Sequence, residues 1–315
     1  MATETAPQRQ RTPPQDEGAS GIAARLAPEA AQLVVVLLWA STFVVAKKAF
    51  VQIAPLAFAF VRFALMALLA FAVLMICSRG RPPVPHRRDL PRFLAAGLTG
   101  FTFYQLGFVL GLDRTSPFSS SLLIGMVPLV TLVILAAIGE PAPGRGWLGV
   151  AVAIVGVVVF LLDKRTSAGT LTGDALSLGA AVSFATYGIV NRPLVRAYPP
   201  ETYTFYTLLA GTIPLLLVGA PAAAAQDWAA VSLGGWIEVA YMVALPVYVA
   251  YMLWNWAIAQ RGVAATANAT LLEPVFSGAL SALFYGEVFG LTKLAGAALV
   301  LLGLVVARSR SKSGP

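Results

Sequence analysis

Long apolar runs separated by short polar breaks dominate this chain. Ten of them lie near residues 30–50, 55–77, 92–112, 116–138, 146–162, 174–191, 202–220, 234–259, 264–285 and 291–307. About 20 apolar residues of helix cross the hydrocarbon core of a bilayer, so each run fits one crossing. In lipid a spanning segment must satisfy its own backbone hydrogen bonds, and the runs are continuous, not alternating. They therefore predict helices, not the strands of a barrel. The breaks are polar and turn-rich: Arg79-Gly-Arg-Pro-Pro-Val-Pro85, Pro141-Ala-Pro-Gly144, Asp163-Lys-Arg165 and Tyr198-Pro-Pro200. Residues 1–29 are rich in Gln, Pro, Thr and Arg, show no apolar period, and read as a disordered cytosolic tail. The first apolar run is too long for a signal peptide and lacks a small-residue cleavage site. The expected fold is an all-α polytopic membrane protein of ten transmembrane helices.

Composition narrows the function classes. Of 315 residues, 58% are hydrophobic and 11% charged, against roughly a quarter charged in an ordinary soluble domain. A soluble enzyme, a disordered protein and a disulfide scaffold are excluded. One cysteine, Cys77, and one histidine, His86, leave no intrachain disulfide and no metal cluster. No cofactor is expected. The absence of a Walker motif argues against an ATP-driven pump.

The net charge of +8 is a matter of topology. With the N-terminus inside, 15 of the 22 Lys and Arg residues fall on the cytosolic side, 6 outside, and Arg62 within a run. This bias places both termini in the cytosol, including the basic tail 308–315, and the stretch Arg79–Arg92 contributes most of it. Contact with anionic lipid accounts for the charge without nucleic acid. Short loops and an Ala-, Gly- and Arg-rich composition suit a bacterial inner membrane.

The two halves resemble each other. Pro128, Gly139-Glu140, Gly149 and Gly156 recur as Pro274, Gly286-Glu287, Gly296 and Gly303, offset by 146 for the prolines and 147 for the rest. Trp39-Ala-Ser-Thr-Phe43 lies over Ser183-Phe-Ala-Thr-Tyr187 at an offset of 144. The units would be 30–162 and 163–307. Five helices is an odd number, so the second unit is inverted relative to the first, which is a transporter signature.

These residues resemble the EamA-type transporters of the drug/metabolite transporter superfamily, from about residue 33 to 307. Leu38-Trp-Ala-Ser-Thr-Phe-Val-Val-Ala-Lys47 is similar to the family's opening pattern, with Ala40 in place of its usual Gly. Arg62 stands where the family often carries an Arg. Pro128…Gly139-Glu140…Gly156 and Leu272-Glu-Pro-Val-Phe276…Tyr285-Gly-Glu287…Gly303 are similar to the ends of the two units. The resemblance implies two inverted five-helix repeats, a central cavity, and secondary transport, most often export of amino acids or other small metabolites.

Polar side chains in a bilayer core are costly and mark candidate sites. Thr266, Thr270, Glu273, Ser277 and Ser281 recur at steps of 4, 3, 4 and 4, one helical face. Glu273 is the only acid deep in any run, and its counterpart in the first half is Val127. It is the candidate for coupling to protons or for orienting a cationic group of the substrate; a structural pairing with a neighbouring helix is the alternative. Trp39, Thr42, Tyr104, Gln105, Tyr187, Asn191, Tyr248, Tyr251 and Asn255 lie on aromatic faces carrying a few amides and hydroxyls, as a small-molecule site needs. Helix packing is the competing account of those faces. Lys47, Arg62, Glu140 and Glu287 are candidates for a mouth or gate. Arg62 could hold an anionic substrate, and the favoured expectation is a snorkelling side chain or one paired with a carbonyl or acid. Gly149 with Gly156, and Gly296 with Gly303, suit close helix packing between the halves or between protomers.

The expected partners are a small-molecule substrate, the lipid bilayer and protons, with the chain a monomer or homodimer. Two other readings stand beside an exporter: a scaffold or sensor that does not transport, and an importer or exchanger of nucleotide-like or other solutes. A membrane-embedded enzyme would need a nucleophile, a metal cluster or paired carboxylates, and the runs offer none. The charge bias generates a first prediction. Alkaline phosphatase fused after Arg165 is active in a bacterial host, and fused after Arg196 it is inactive, the pattern of a chain with its N-terminus inside.

Overall fold

A computed structural model describes residues 19–140, 144–162, 170–261 and 269–308. Among the described residues the chain is all-helical. Seven helices are long and apolar enough to cross a membrane, and three shorter apolar helices, Leu233–Val247, Thr270–Tyr285 and Leu291–Ala307, follow them. Large apolar side chains cover the outside; Leu68 is 66% exposed and Leu217 72%. In a soluble protein such a surface would aggregate. Here it is the face that lipid wets.

Helix α1 runs Ala19–Ala49 and α2 runs Pro55–Cys77. The third long helix, Arg87–Arg114, is composite: a 3-10 turn Arg87–Asp89, α3 (Leu90–Gly97), a π-helical turn Leu98–Phe103, and α4 (Tyr104–Arg114). The fourth is broken into α5 (Pro117–Ile124) and α6 (Val127–Ala137), and α7 is Gly144–Leu161. In the second half come α8 (Leu171–Val190), the short α9 (Arg192–Ala197) and α10 (Pro200–Ala225). Next are α11 (Leu233–Val243), a π-helical turn Ala244–Val249, and α12 (Ala250–Arg261). A 3-10 turn Thr270–Leu272 leads into α13 (Glu273–Tyr285), and α14 is Leu291–Arg308.

The starts of these helices follow local chemistry. Proline occupies the first turn of α2, α5, α6, α10 and α13, where its missing N–H costs nothing. Ser116, Thr170 and Ser232 cap α5, α8 and α11 by accepting a hydrogen bond from a backbone N–H three residues on. Helix α1 starts earlier than the apolar run. Residues 19–29, expected in a disordered tail, are helical, and their alanine content is the physical reason.

Irregular elements recur at a fixed distance. The π turns begin at 98 and 244, α4 and α12 at 104 and 250, α6 and α13 at 127 and 273, each pair 146 apart. Both α6 and α13 carry proline at their second residue, and Gly139 and Gly286, just beyond their ends, have φ of 89° and 63°. Only glycine takes that left-handed conformation without strain.

The halves meet at several helix pairs, α2 with α10, α4 with α8, and most extensively α7 with α14. A Cβ on Gly149 would lie 2.5 Å from the Gly303 carbonyl oxygen, and one on Gly156 would lie 2.6 Å from the Val300 nitrogen. Without a hydrophobic force between helices in lipid, such backbone approach is how helices gain contact. The four glycines expected to pack thus meet each other across the two halves.

Charged groups fasten one end of the bundle. Lys47 Nζ donates to the carbonyls of Leu112 (2.8 Å), Asp113 (2.7 Å) and Thr115 (3.1 Å), tying α1 to the end of α4. Lys48 pairs with Glu238 of α11 at 3.0 Å. Lys293 pairs with Glu287 at 2.7 Å, both side chains almost wholly buried (4% and 5% exposed). The rings of Phe118, Phe160 and Phe289 surround the Lys293 ammonium at 5.4–5.9 Å, and Ser281 donates to the second Glu287 oxygen. Lys293 tolerates burial because its carboxylate partner is supplied by the segment just before α14.

Substitution tests both kinds of contact. Gly156→Leu or Gly303→Leu forces α7 and α14 apart and costs about 1–3 kcal/mol, read as a lowered unfolding temperature in detergent. Lys293→Met strands a buried carboxylate and costs about 3–5 kcal/mol. Adding Glu287→Gln to it recovers part of that loss in the same assay.

Candidate functional site

A cavity of about 330 Å³ opens between the halves. Irregular backbone surrounds it. Gly100 and Phe101 come from the first π turn, Pro246 and Val247 from the second. Gly125 and Val127 flank the α5–α6 break, while Thr270 and Glu273 mark the start of α13. The two breaks approach each other, a Cβ on Gly125 lying 3.3 Å from the Pro274 ring. Non-helical backbone at membrane depth is tolerated only inside protein or along a cavity, so its convergence here marks the cavity as the place to look for function. π turns inside α-helices are frequent at functional sites for the same reason.

Several expected residues come together on this wall. Trp39 and Thr42 reach it from α1, Arg62 from α2, Tyr104 and Gln105 from α4, and Glu273 from α13. The Trp39 indole N–H donates to the Pro246 carbonyl at 3.0 Å, and its ring lies 5.1 Å from that of Trp254. Thr42 returns its hydroxyl to the Trp39 carbonyl. The rest of the lining is largely aromatic and aliphatic.

The polar groups differ in how they are satisfied. Arg62 is only 8% exposed and Gln105 1%, yet Arg62 Nε and Gln105 Nε2 have no hydrogen-bond partner among the described residues. The Arg62 guanidinium lies 5.6 Å from the Phe63 ring centre and forms no ion pair among those residues. Arg62, the eighth residue of α2, lines the cavity without an ion pair among the described residues, in place of the snorkelling or paired side chain expected. Glu273 likewise has no ion pair or hydrogen bond among the described residues.

Other candidates lie elsewhere. Tyr187 and Asn191 are off the cavity. Asn191 Nδ2 donates to the Tyr187 hydroxyl at 3.1 Å, and the Tyr187 ring fills the space left open by Gly100, 5.7 Å from Phe101. Tyr248, Tyr251 and Asn255 stand on the second π turn and α12, and their side chains, like Thr266, lie outside the described residues. Among the gate candidates, Lys47 and Glu287 serve the end contacts already described, and Glu140 pairs with Arg192 at 3.0 Å in a half-exposed bridge at the other end. Sequence reasoning missed Pro246, whose carbonyl holds Trp39, and Glu238, a buried acid at 8% exposure. A proline within an apolar run frees the carbonyl one turn before it, so Pro246 signals an irregular helix here but does not itself point to the carbonyl that Trp39 takes.

Comparison with known proteins places this geometry. The family model of the EamA-like transporter family matches residues 29–162 and again 171–309. An uncharacterized transporter, YyaM, of Bacillus subtilis is 25% identical over 272 residues, covering 85% of this chain and 88% of its own. A probable terminal-alkyne amino-acid exporter of Streptantibioticus cattleyicolor is 28% identical over 228 residues, covering 72% and 76%. A probable amino-acid metabolite efflux pump of Salmonella typhimurium is 28% identical over 286 residues, covering 87% and 92%. A crystal structure at 20% identity superposes with a TM-score of 0.59 over 90% of this chain and 97% of its own, a likeness of fold alone. With a model matched twice over most of its length, and matching irregular elements around one cavity, the chain belongs to the EamA-like transporter family.

Proposed function

We propose that this chain is a secondary active transporter that exports small organic metabolites, amino acids or related compounds, by alternating access. In this reading ten helices cross a bacterial inner membrane as two inverted five-helix repeats, with both termini in the cytosol. One observation carries it: the cavity is built from irregular elements that recur 146 residues apart, one set from each half. Inverted repeats that share a midplane site can exchange conformations and present it to each side in turn. The recurrence of the π turns and of the proline-led starts of α6 and α13 supports the repeat. The relatives described as amino-acid exporters and efflux pumps support the solute class and the direction. In this scheme the end held by Lys47, Lys48 and Lys293 is the outer one, and its contacts close the cavity on that side.

Glu273 is the coupling residue in this proposal. It is the acid on the cavity wall, and its counterpart Val127 faces the same space without a charge. A scaffold has no use for a carboxylate left at that position without a partner among the described residues.

The test is counterflow in proteoliposomes with amino acids, amines and nucleosides, each with and without a pH gradient. Exchange of at least one amino acid, accelerated by the gradient, is the expected result. Glu273→Gln removes the response to the gradient. Silence toward every class would favour a scaffold, and a gradient response that survives Glu273→Gln would take coupling away from that residue.

A further inference from the structure

A buried arginine and a half-buried carboxylate face one cavity, neither with an ion pair among the described residues, and that arrangement has a cost. Arg62 is over nine-tenths buried, and neither it nor Glu273 has an ion pair among the described residues. Burying an isolated ion costs several kcal/mol even after the protein relaxes. The chain shows elsewhere how it avoids that cost. Lys293 has Glu287, the buried Glu238 has Lys48, and Lys47 has three carbonyls. At the cavity no such partner lies among the described residues. A third group repeats the pattern: Gln105 Nε2 is buried with no acceptor among the described residues, on α4 beside α2.

We propose that the cavity recognises a zwitterion. The substrate's carboxylate binds Arg62 and Gln105, its ammonium binds Glu273, and an apolar side chain fills the aromatic remainder of the lining. This deepens the transport reading and rests on it. The guanidinium fork matches a carboxylate in two parallel hydrogen bonds, and the Gln105 amide adds a third donor. Glu273 supplies the acceptor an ammonium needs, at the start of α13, where Thr270 of the preceding 3-10 turn joins the same lining. Trp39, Phe43, Phe63, Phe101 and Phe108 provide the apolar wall. At about 330 Å³ the cavity is at the small end of ligand sites, the size for one small metabolite. A solute with a single charge satisfies one side and leaves the other without its counter-charge. Discrimination then comes from the protein group stranded by the wrong solute as much as from the bonds made to the right one.

The experiment uses the full chain in proteoliposomes and three probes of similar shape: leucine, leucinamide, which lacks the carboxylate, and 4-methylpentanoate, which lacks the ammonium. The wild type is expected to exchange leucine at least about tenfold faster than either analogue, the scale set by a lost charged hydrogen bond. Arg62→Gln abolishes the preference for leucine over leucinamide while keeping the preference over 4-methylpentanoate. Glu273→Gln does the reverse. Each variant is read as a ratio of two probes on one preparation, so reduced folding lowers both rates and leaves the ratio. A merely structural role for either residue would leave the ratios at wild-type values and overturn the proposal. If the wild type carries all three probes alike, or carries only amines or nucleosides, the zwitterion site falls and transport stands. If it carries no probe of any class, the transport reading fails and the site falls with it.

Discussion

In hydrocarbon no solvent is available to complete a hydrogen bond or screen a charge, and that constraint governs this protein throughout. It explains why the chain is helical and why caps are supplied by Ser116, Thr170 and Ser232. It also explains why deviations from regular helix cluster in one place. A π turn or a break between α5 and α6 leaves backbone groups without their usual partners. Such groups are tolerated only where protein or a cavity receives them, as the Trp39 indole receives the Pro246 carbonyl.

The same constraint separates two populations of charge. Those at the end of the bundle are matched, down to the ammonium of Lys293 held between a carboxylate and three phenylalanine rings. They hold α1, α4, α11 and the α13–α14 connection in register. Those at the cavity are unmatched among the described residues. One population serves the resting arrangement of the helices, and the other is left open for something that comes and goes. A transporter needs both: contacts strong enough to close one side, and a site that is incomplete until it is filled.

Much of this was legible in the sequence, for a physical reason. Hydropathy reports which segments lipid accepts, so the helices could be read from composition alone. Charge is so scarce in the apolar runs that Arg62 and Glu273 stood out without a structure. The facing of those side chains could not be read. Arg62 snorkels in one geometry and lines a cavity in another, and only the packing of α2 decides. The π turns were hidden because they interrupt no apolar run. The Tyr187–Asn191 stripe had the right spacing for a cavity wall, yet Gly100 opened room for the tyrosine ring and turned that face into packing.

The crossing of α7 and α14 bears on how the molecule is made. Helix α7 closes the first half, and its glycine face is complementary to a helix at the far end of the chain. Roughly 150 residues must be synthesised between them, on the order of ten seconds at ordinary translation rates. During that interval the small-residue groove of α7 lies open to lipid or to other nascent helices. The first half therefore inserts before this contact exists, and the most extensive helix pair of the molecule forms at the end of assembly, not the beginning.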